Sequence, residues 1–220
     1  MTTPVIALGI DVGAGALHCV GIDGEGRPVV CEVLDLAAVD HLLGRLPHGL
    51  VVAIDAPDRR STGPHADDPS LSGKFKKARC GEIALGRREG CWVSWVTPLE
   101  GEPLEGKPQY GWMKAGFEVH RLAADAHLTP IEVYPHAAFR RLNGGTRPPK
   151  KTTSAGVRAR AELLRDSGVV EPSLLMWSHD GLDAAMAAVV ARDAVRGTAE
   201  EVTCGHDGSA IWLPARQHRD

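Results

Sequence analysis

The sequence predicts a mixed α/β fold, and two observations indicate it. Three apolar runs at residues 5–10, 16–22 and 28–34 are joined by short Gly-containing segments, a pattern typical of an antiparallel meander of three strands. Residues 35–46 then carry apolar side chains at helical spacing and are followed by another apolar run at 50–54. A β-β-β-α-β order at the start of a chain predicts a sheet that is covered by helices.

The rest of the chain alternates predicted helices with two further strands. A Gly/Pro/Ser/Asp-rich loop is predicted at 57–73 and a Gly/Pro/Lys loop at 143–151. The periodicity predicts helices at 75–85, 110–124, 153–164 and 180–195, a fifth strand at 129–133, and a short last strand at 211–213.

Composition is that of a globular protein. The chain has 220 residues, 43% of them hydrophobic and 24% charged, with a net charge of −3. Such a chain needs no disulfide staples, and nucleic-acid binding would have to come from local basic patches. We expect a single domain over residues 1–220. Within it, residues 57–125 are expected to form an insertion or lid, because they contain too few apolar runs to build their own core.

The cysteines favour neither a disulfide framework nor a zinc site. Their number is odd, their spacings are wide and no CxxC pair occurs. The five are Cys19, Cys31, Cys80, Cys91 and Cys204.

No targeting or membrane signal is evident. The N-terminus lacks a basic region followed by an apolar run and a cleavage site. No window reaches the ~18 apolar residues that a membrane span requires. We therefore expect a cytoplasmic protein with no membrane partner.

Two acids follow apolar strands. Asp11 ends the first strand and precedes the small residues Gly13, Ala14 and Gly15, and Asp55 ends the fourth strand. A carboxylate at the end of a buried strand is costly unless something offsets it. If the two strands are neighbours, they lie about 5 Å apart and both acids emerge at the same edge. For either acid alone, a turn or capping role is an equally good explanation.

Three further acids extend the set. Asp180 and Asp183 are three residues apart at the start of a predicted helix and share one face, although Asp180 as an N-cap and Asp183 as a first-turn acid would also explain them. Glu132 lies within the apolar fifth strand. It is a possible additional acid of the site, or it pairs with an arginine such as Arg140 or Arg141.

Converging carboxylates predict a metal site. They raise one another's pKa unless a cation lies among them, and oxygen ligands suit Mg²⁺ or Mn²⁺. Two such ions about 3.5–4 Å apart can stabilise the attacking and leaving oxygens of a phosphodiester cleavage. Basic residues would then hold the substrate phosphates. The candidates are Arg79, Lys150 and Lys151, each of which could also be an ordinary surface charge.

The predicted order of elements resembles the RNase H-like fold. That fold has three antiparallel strands followed by two parallel ones, with acids on strands one and four and further acids on a late helix. Its Holliday-junction resolvase branch ends with two Asp residues three apart before an Ala-rich helix, and HDGLDAAMAA, with Asp180 and Asp183, is similar.

A closer resemblance is to the predicted RNase H-like nucleases known as domain of unknown function family 429. The motifs span nearly the whole chain: GIDVGAG, AIDAP, ARCGEIALG, IEVYPHAAF, PKKTT, HDGLDAAMAA and GSAIWLP. The resemblance implies a hydrolase that cleaves nucleic acid or nucleotides with Mg²⁺ or Mn²⁺. It also implies that the catalytic and metal-binding residues are Asp11, Asp55, Asp180 and Asp183. The family pattern includes Arg79 and Cys80, whereas Glu132 has no counterpart role.

Two other functions remain open at this point. GIDVGAG also resembles the first phosphate motif of actin-like ATPases and kinases, in which backbone amides meet phosphate. The 220-residue length and the lack of a second such motif argue against that function. A non-catalytic RNase H-like binding domain is the third possibility, and retention of all four acids argues weakly against it.

Overall fold

The computed structural model describes residues 4–13 and 15–216, so Ala14 of the predicted turn lies outside the described residues. Strands β1 (Ala7–Val12), β2 (Leu17–Ile22) and β3 (Pro28–Leu34) pair antiparallel. Strands β4 (Val51–Asp55) and β5 (Thr129–Glu132) continue the sheet in parallel with β1. The strand order is β3-β2-β1-β4-β5, which confirms the predicted mixed sheet of three antiparallel strands followed by two parallel ones.

Six α-helices and a small second sheet complete the described part of the chain. The helices are α1 (Leu36–Leu43), α2 (Cys80–Glu89), α3 (Gly111–Asp125), α4 (Pro135–Leu142), α5 (Ser154–Asp166) and α6 (His179–Val195). Strands β6 (Glu200–Val202) and β7 (Ile211–Leu213) pair antiparallel. No helix of the described residues is long and apolar enough to cross a membrane.

Successive side chains of β1 pack against different helices on the two faces of the sheet. Leu8, Ile10 and Val12 join the apolar cluster formed with α1 and α3. Ala7 joins the cluster formed with α4, α5 and α6 on the other face. Because successive side chains of a strand point to opposite faces, Asp11 lies on the same face as Ala7, which is the α6 face.

Helix α6 approaches β1 so closely that only glycine fits at position 9. A Cβ on Gly9 would lie 2.1 Å from the carbonyl oxygen of Ala184 and 2.2 Å from the amide nitrogen of Ala188. The Ala-rich middle of α6 is buried on all sides, which explains why it shows no amphipathic pattern. This close packing brings the N-terminal turns of α6 to the carboxyl ends of β1 and β4.

Two helices differ from the sequence predictions. The helix predicted at 75–85 is a short 3-10 turn at Phe75–Lys77, followed by extended backbone at Ala78, and α2 starts only at Cys80. Arg79 is therefore the N-cap of α2 rather than a residue within a helix. Helix α4 has no counterpart among the predicted helices. Its first residue is Pro135, and proline fits the first helical position because no N–H is needed there.

One expectation about the cysteines is wrong. Cys80 and Cys204 form a disulfide across a sequence separation of 124 residues. The other three cysteines are free, with Cys19 and Cys91 buried and Cys31 exposed. Sequence spacing does not reveal this pair because the fold, not the local chain, brings the loop after β6 to the start of α2.

Candidate metal centre

Asp11 and Asp55 are neighbours at the ends of β1 and β4. They are paired in the parallel register, which brings their carboxyl groups to the same edge of the sheet. Burial, followed by repulsion from Asp183 and Asp180, raises the pKa of Asp11 to about 7. The pKa of Asp55 is raised by burial and then by Asp11 and Asp183. The two strand-end acids thus share a site that disfavours their ionised forms.

Helix α6 brings two further acids to the same place. One carboxylate oxygen each of Asp11, Asp180 and Asp183 lies within 4.8 Å of the others. The capping explanation for Asp180 does not apply, because Ser178 is the N-cap and accepts a hydrogen bond from the Gly181 N–H at 3.0 Å. Asp180 occupies the first turn, where the helix dipole favours an acid. The spacing predicted that the two acids share one face of the helix, and both have a carboxylate oxygen close to Asp11 at the end of β1.

Lys151 partly neutralises this group of acids. Its ammonium lies 2.7 Å from Asp183 Oδ2 and 3.6 Å from Asp180 Oδ1. Burial lowers the pKa of Lys151, but attraction to Asp183 and to the other acids outweighs it, so the net shift is upward. The pKa of Asp183 is raised by burial even though Lys151 opposes the rise. The single positive charge of Lys151 therefore does not neutralise all of these carboxylates.

Two cavities meet at the acids. The first, of about 540 Å³, is lined by Asp11, Asp55, Trp95, Trp112 and other residues. The second, of about 350 Å³, is mostly basic. Asp55, Asp183 and Tyr134 line it together with the cationic side chains of Arg147, Lys150, Lys151 and Arg160. Burial, and then Arg147 and Arg160, lower the pKa of His136 in this second cavity to about 4. An acidic centre is thus flanked by a basic pocket on one side and indole rings on the other.

Arg160 is a residue that sequence reasoning missed. It is 3% exposed, and its Nε lies 3.9 Å from Asp183 Oδ1. That nitrogen is buried and has no hydrogen-bond partner among the described residues. The residue lies inside α5, where an arginine looks like an ordinary helix surface residue. No sequence signal separates it from its neighbours.

Glu132 lies on the other face of the sheet from the aspartates. It pairs in register with Ile54, one residue before Asp55, and Ile54 packs in the cluster formed with α1 and α3. One step along a strand moves a side chain to the opposite face. Glu132 is 4% exposed, and burial raises its pKa to about 7 although Arg79 opposes the rise.

Arg79 is the partner of Glu132 and is fully buried. Its Nη2 lies 2.6 Å from Glu132 Oε1 and 3.2 Å from Glu82 Oε1, and its Nη1 lies 2.9 Å from Asp58 Oδ1. The expected pairing of Glu132 with an arginine is present, but the partner is Arg79 rather than Arg140 or Arg141. With 0% exposure, Arg79 has no access to a substrate in this structure.

The donor set suits a hard divalent cation. Among the described residues, Asp11, Asp55, Asp180 and Asp183 offer only carboxylate oxygens, and Mg²⁺ and Mn²⁺ prefer oxygen ligands. The raised pKa values of Asp11, Asp55 and Asp183 show uncompensated repulsion and burial. A cation among these oxygens would relieve both effects.

Comparisons with known proteins extend this description. The family model described as "Protein of unknown function (DUF429)" matches residues 115–207, which include Lys151, Asp180 and Asp183. A solved structure described as "Thermus thermophilus RuvC structure" aligns with 94% of this chain and 98% of its own chain, at 16% sequence identity and a TM-score of 0.43. No curated protein sequence matches the chain. Over residues 115–207 the chain is similar to the DUF429 proteins of unknown function, the same family that the sequence motifs resemble.

Proposed function

We propose that this protein is a metal-dependent phosphodiesterase that cleaves nucleic acid or a nucleotide. The observation that carries the proposal is the convergence of Asp11, Asp180 and Asp183, whose carboxylate oxygens lie within 4.8 Å of one another, with Asp55 paired opposite Asp11 in the strand register. These four acids would hold Mg²⁺ or Mn²⁺. When bound, such an ion supplies an activated water and offsets charge on the scissile phosphate.

The basic cavity beside the acids is the proposed phosphate-binding pocket. Lys150, Arg147 and Arg160 line it, and cationic side chains hold phosphates without reading sequence. Lys151 lies between the two cavities. Lys151, which pairs with Asp183 in this structure, would be available to contact a substrate phosphate once the charge of Asp183 is compensated in another way.

Indole rings give the other side of the centre a surface for bases. Trp95 and Trp112 line the larger cavity, with ring centroids 5.2 Å apart in an edge-to-face arrangement. Stacking of bases on aromatic rings tolerates any sequence. Both tryptophans belong to residues 57–125, so we propose that this segment forms the rim of the substrate site within a single domain.

The turn after Asp11 supports metal binding better than a phosphate motif. The Gly13 N–H donates a hydrogen bond to the carbonyl oxygen of Ala16 at 3.0 Å. This bond closes the turn between β1 and β2, so the amide is not available to a nucleotide phosphate. An actin-like ATPase would use amides of this turn for phosphate.

A cleavage panel tests the proposal. The purified protein is incubated with single- and double-stranded DNA and RNA, a branched DNA junction and a dinucleotide, each with Mg²⁺, Mn²⁺ or EDTA. We expect cleavage of at least one substrate that requires the metal and stops in EDTA. Tight ATP–Mg²⁺ binding with no cleavage would instead support the phosphotransferase alternative.

Metal binding should also stabilise the fold. Mn²⁺ at about 100 times its Kd adds about 3 kcal/mol to the free energy of unfolding if it binds only the folded state. In a chain of this size, that corresponds to a rise in Tm of about 5–10 °C. We expect the rise in wild type and a much smaller one in Asp183→Asn. The control is Asp40→Asn, which alters an exposed acid on α1. If millimolar Mn²⁺ leaves the wild-type Tm unchanged, a non-catalytic binding domain becomes the better explanation.

A further inference from the structure

A second group of metal-ligating side chains lies apart from the acidic centre. His65, Cys80 and Cys204 come from the loop after β4, the first position of α2 and the segment after β6. His65 Nε2 lies 3.8 Å from Cys80 Sγ and 3.5 Å from Cys204 Sγ. None of the three lines either cavity of the acidic centre.

In the disulfide form, the two nitrogen–sulfur distances are already close to those of a tetrahedral zinc site, although the two sulfurs would have to move apart to about 3.8 Å on reduction. With Zn–S near 2.3 Å and Zn–N near 2.0–2.1 Å, tetrahedral angles place sulfur and nitrogen ligands about 3.6 Å apart. The two observed distances fall on either side of that value. His65 and Cys80 are buried and Cys204 is partly buried, so the donors already converge in a protected place.

The surroundings of Cys80 favour a thiolate. Its position at the start of α2 exposes it to the positive end of the helix dipole. The backbone N–H of His206 also donates to Cys80 Sγ at 3.4 Å. Such hydrogen bonds from outside the ligand set orient and stabilise metal-bound sulfur.

We propose that His65, Cys80 and Cys204 form a Zn²⁺ site when the two cysteines are reduced. The disulfide between Cys80 and Cys204 is the oxidised state of the same pair. On binding, each thiol gives up its proton to solvent and the neutral imidazole nitrogen of His65 provides the third ligand, with a fourth position left for water. Hydrogen peroxide would release the metal by a different step, in which the pair is oxidised back to the disulfide. The two thiolates give two electrons, the S–S bond forms, Zn²⁺ leaves, and the peroxide takes two protons and becomes two waters.

The site would fasten three segments that are distant in sequence. Asp207 Oδ2 already accepts a hydrogen bond from the Cys80 N–H at 3.1 Å, and Ser209 Oγ accepts one from the Gly81 N–H at 3.0 Å. These contacts hold the segment after β6 on the start of α2. A bound Zn²⁺ would also attach the loop that carries His65 to the start of α2. The free energy of zinc binding would therefore contribute to the stability of the fold.

Metal content and thiol counting test the proposal. The protein is reduced, loaded with Zn²⁺ under anaerobic conditions, freed of excess metal and analysed for zinc by mass spectrometry. We expect about one zinc per chain in wild type and in Asp11→Asn, and at least tenfold less in Cys204→Ser and His65→Ala. Cys31→Ser, which changes an exposed free cysteine, should retain the zinc.

A second measurement uses the unaltered chain and so does not depend on whether a variant folds. Zinc should protect two thiols of the reduced protein from alkylation, EDTA should expose them, and hydrogen peroxide should release the zinc as the disulfide forms. Zinc content that is unchanged in Cys204→Ser would overturn the proposal. So would a reduced wild type that keeps no zinc and leaves both thiols open to alkylation.

Discussion

Replacing Asp11 with asparagine should lower metal-dependent cleavage by about 1,000-fold or more. A metal ion contributes several kcal/mol to transition-state stabilisation, and each 1.36 kcal/mol is a factor of ten in rate. Asp11 connects the strand acids with the helix acids, since it lies opposite Asp55 in the strand register and one of its carboxylate oxygens lies within 4.8 Å of oxygens of Asp180 and Asp183. Asparagine keeps the shape of the side chain and removes its charge.

The same substitution should make the metal-free protein more stable at neutral pH. The pKa of Asp11 is raised in the folded state to about 7 from 3.8, first by burial. The folded protein therefore binds this proton more tightly than the unfolded chain does. Below pH 4 both states hold the proton and the site costs nothing. As pH rises from about 4 to 7, the unfolded chain loses the proton first and stability falls. The uncharged asparagine side chain does not titrate, so the Asp11→Asn variant avoids this loss, which we expect to be on the order of 4 kcal/mol because one pKa unit corresponds to about 1.36 kcal/mol.

Two experiments distinguish the effect of the substitution on catalysis from its effect on stability. Cleavage rates of wild type, Asp11→Asn and the control Asp40→Asn are compared at saturating Mn²⁺. Denaturant unfolding in EDTA is followed from pH 4.5 to 8. The expected pattern is an inactive variant that is much more stable than wild type above pH 7, with an advantage that shrinks towards pH 4.5. Cleavage by Asp11→Asn at the wild-type rate would refute the proposed function.

Each strand-end acid was predictable by itself because the apolar run before it is a local pattern, whereas the pairing of β1 with β4 joins distant segments and was only a condition of the prediction. An apolar run that ends on Asp predicts an acid at a sheet edge, and β1 and β4 pair with Asp11 opposite Asp55. The spacing of Asp180 and Asp183 likewise fixes their common helix face. Their meeting with Asp11 depends on Gly9, which allows α6 to lie against β1. A glycine within a strand indicates that another segment approaches the backbone closely at that position, but it does not show which segment.

The roles of Glu132 and Arg79 depend on register and long-range pairing, which the sequence does not contain. Once Glu132 is known to lie opposite Ile54, strand alternation excludes it from the aspartate face. Its partner Arg79 is 53 residues earlier in the chain. The same limitation applies to the pair of Cys80 and Cys204 and to Arg160. In each case a contact between distant segments decides the environment of the side chain.

Replacing Arg79 with methionine should destabilise the fold by about 3–5 kcal/mol at pH 8, because it leaves buried carboxylates without their cation. Glu132 and Glu82 are 4% and 0% exposed and both accept hydrogen bonds from Arg79. For a chain of this length the expected drop in Tm is about 10 °C or more. Arg121→Met is the control. Arg121 also pairs with two acids, Glu118 and Asp125, but it is 55% exposed, and exposed pairs contribute at most about 1 kcal/mol.

The pH dependence of stability and a double variant show whether Arg79 acts as the buried partner of Glu132 or as a contact to the substrate. Burial has raised the pKa of Glu132 to about 7 although Arg79 opposes the rise, so the loss of Arg79 should raise that pKa further. The folded variant then takes up a proton readily, and the destabilisation should be smaller at pH 5 than at pH 8. Arg79→Met/Glu132→Gln removes both charges and should recover part of the lost stability, as coupled neighbours do. Below its Tm the double variant should cleave at close to the wild-type rate, because neither side chain reaches the acidic centre. A folded double variant with cleavage reduced 100-fold would instead make Arg79 part of the substrate site and would require the buried pair to open during turnover.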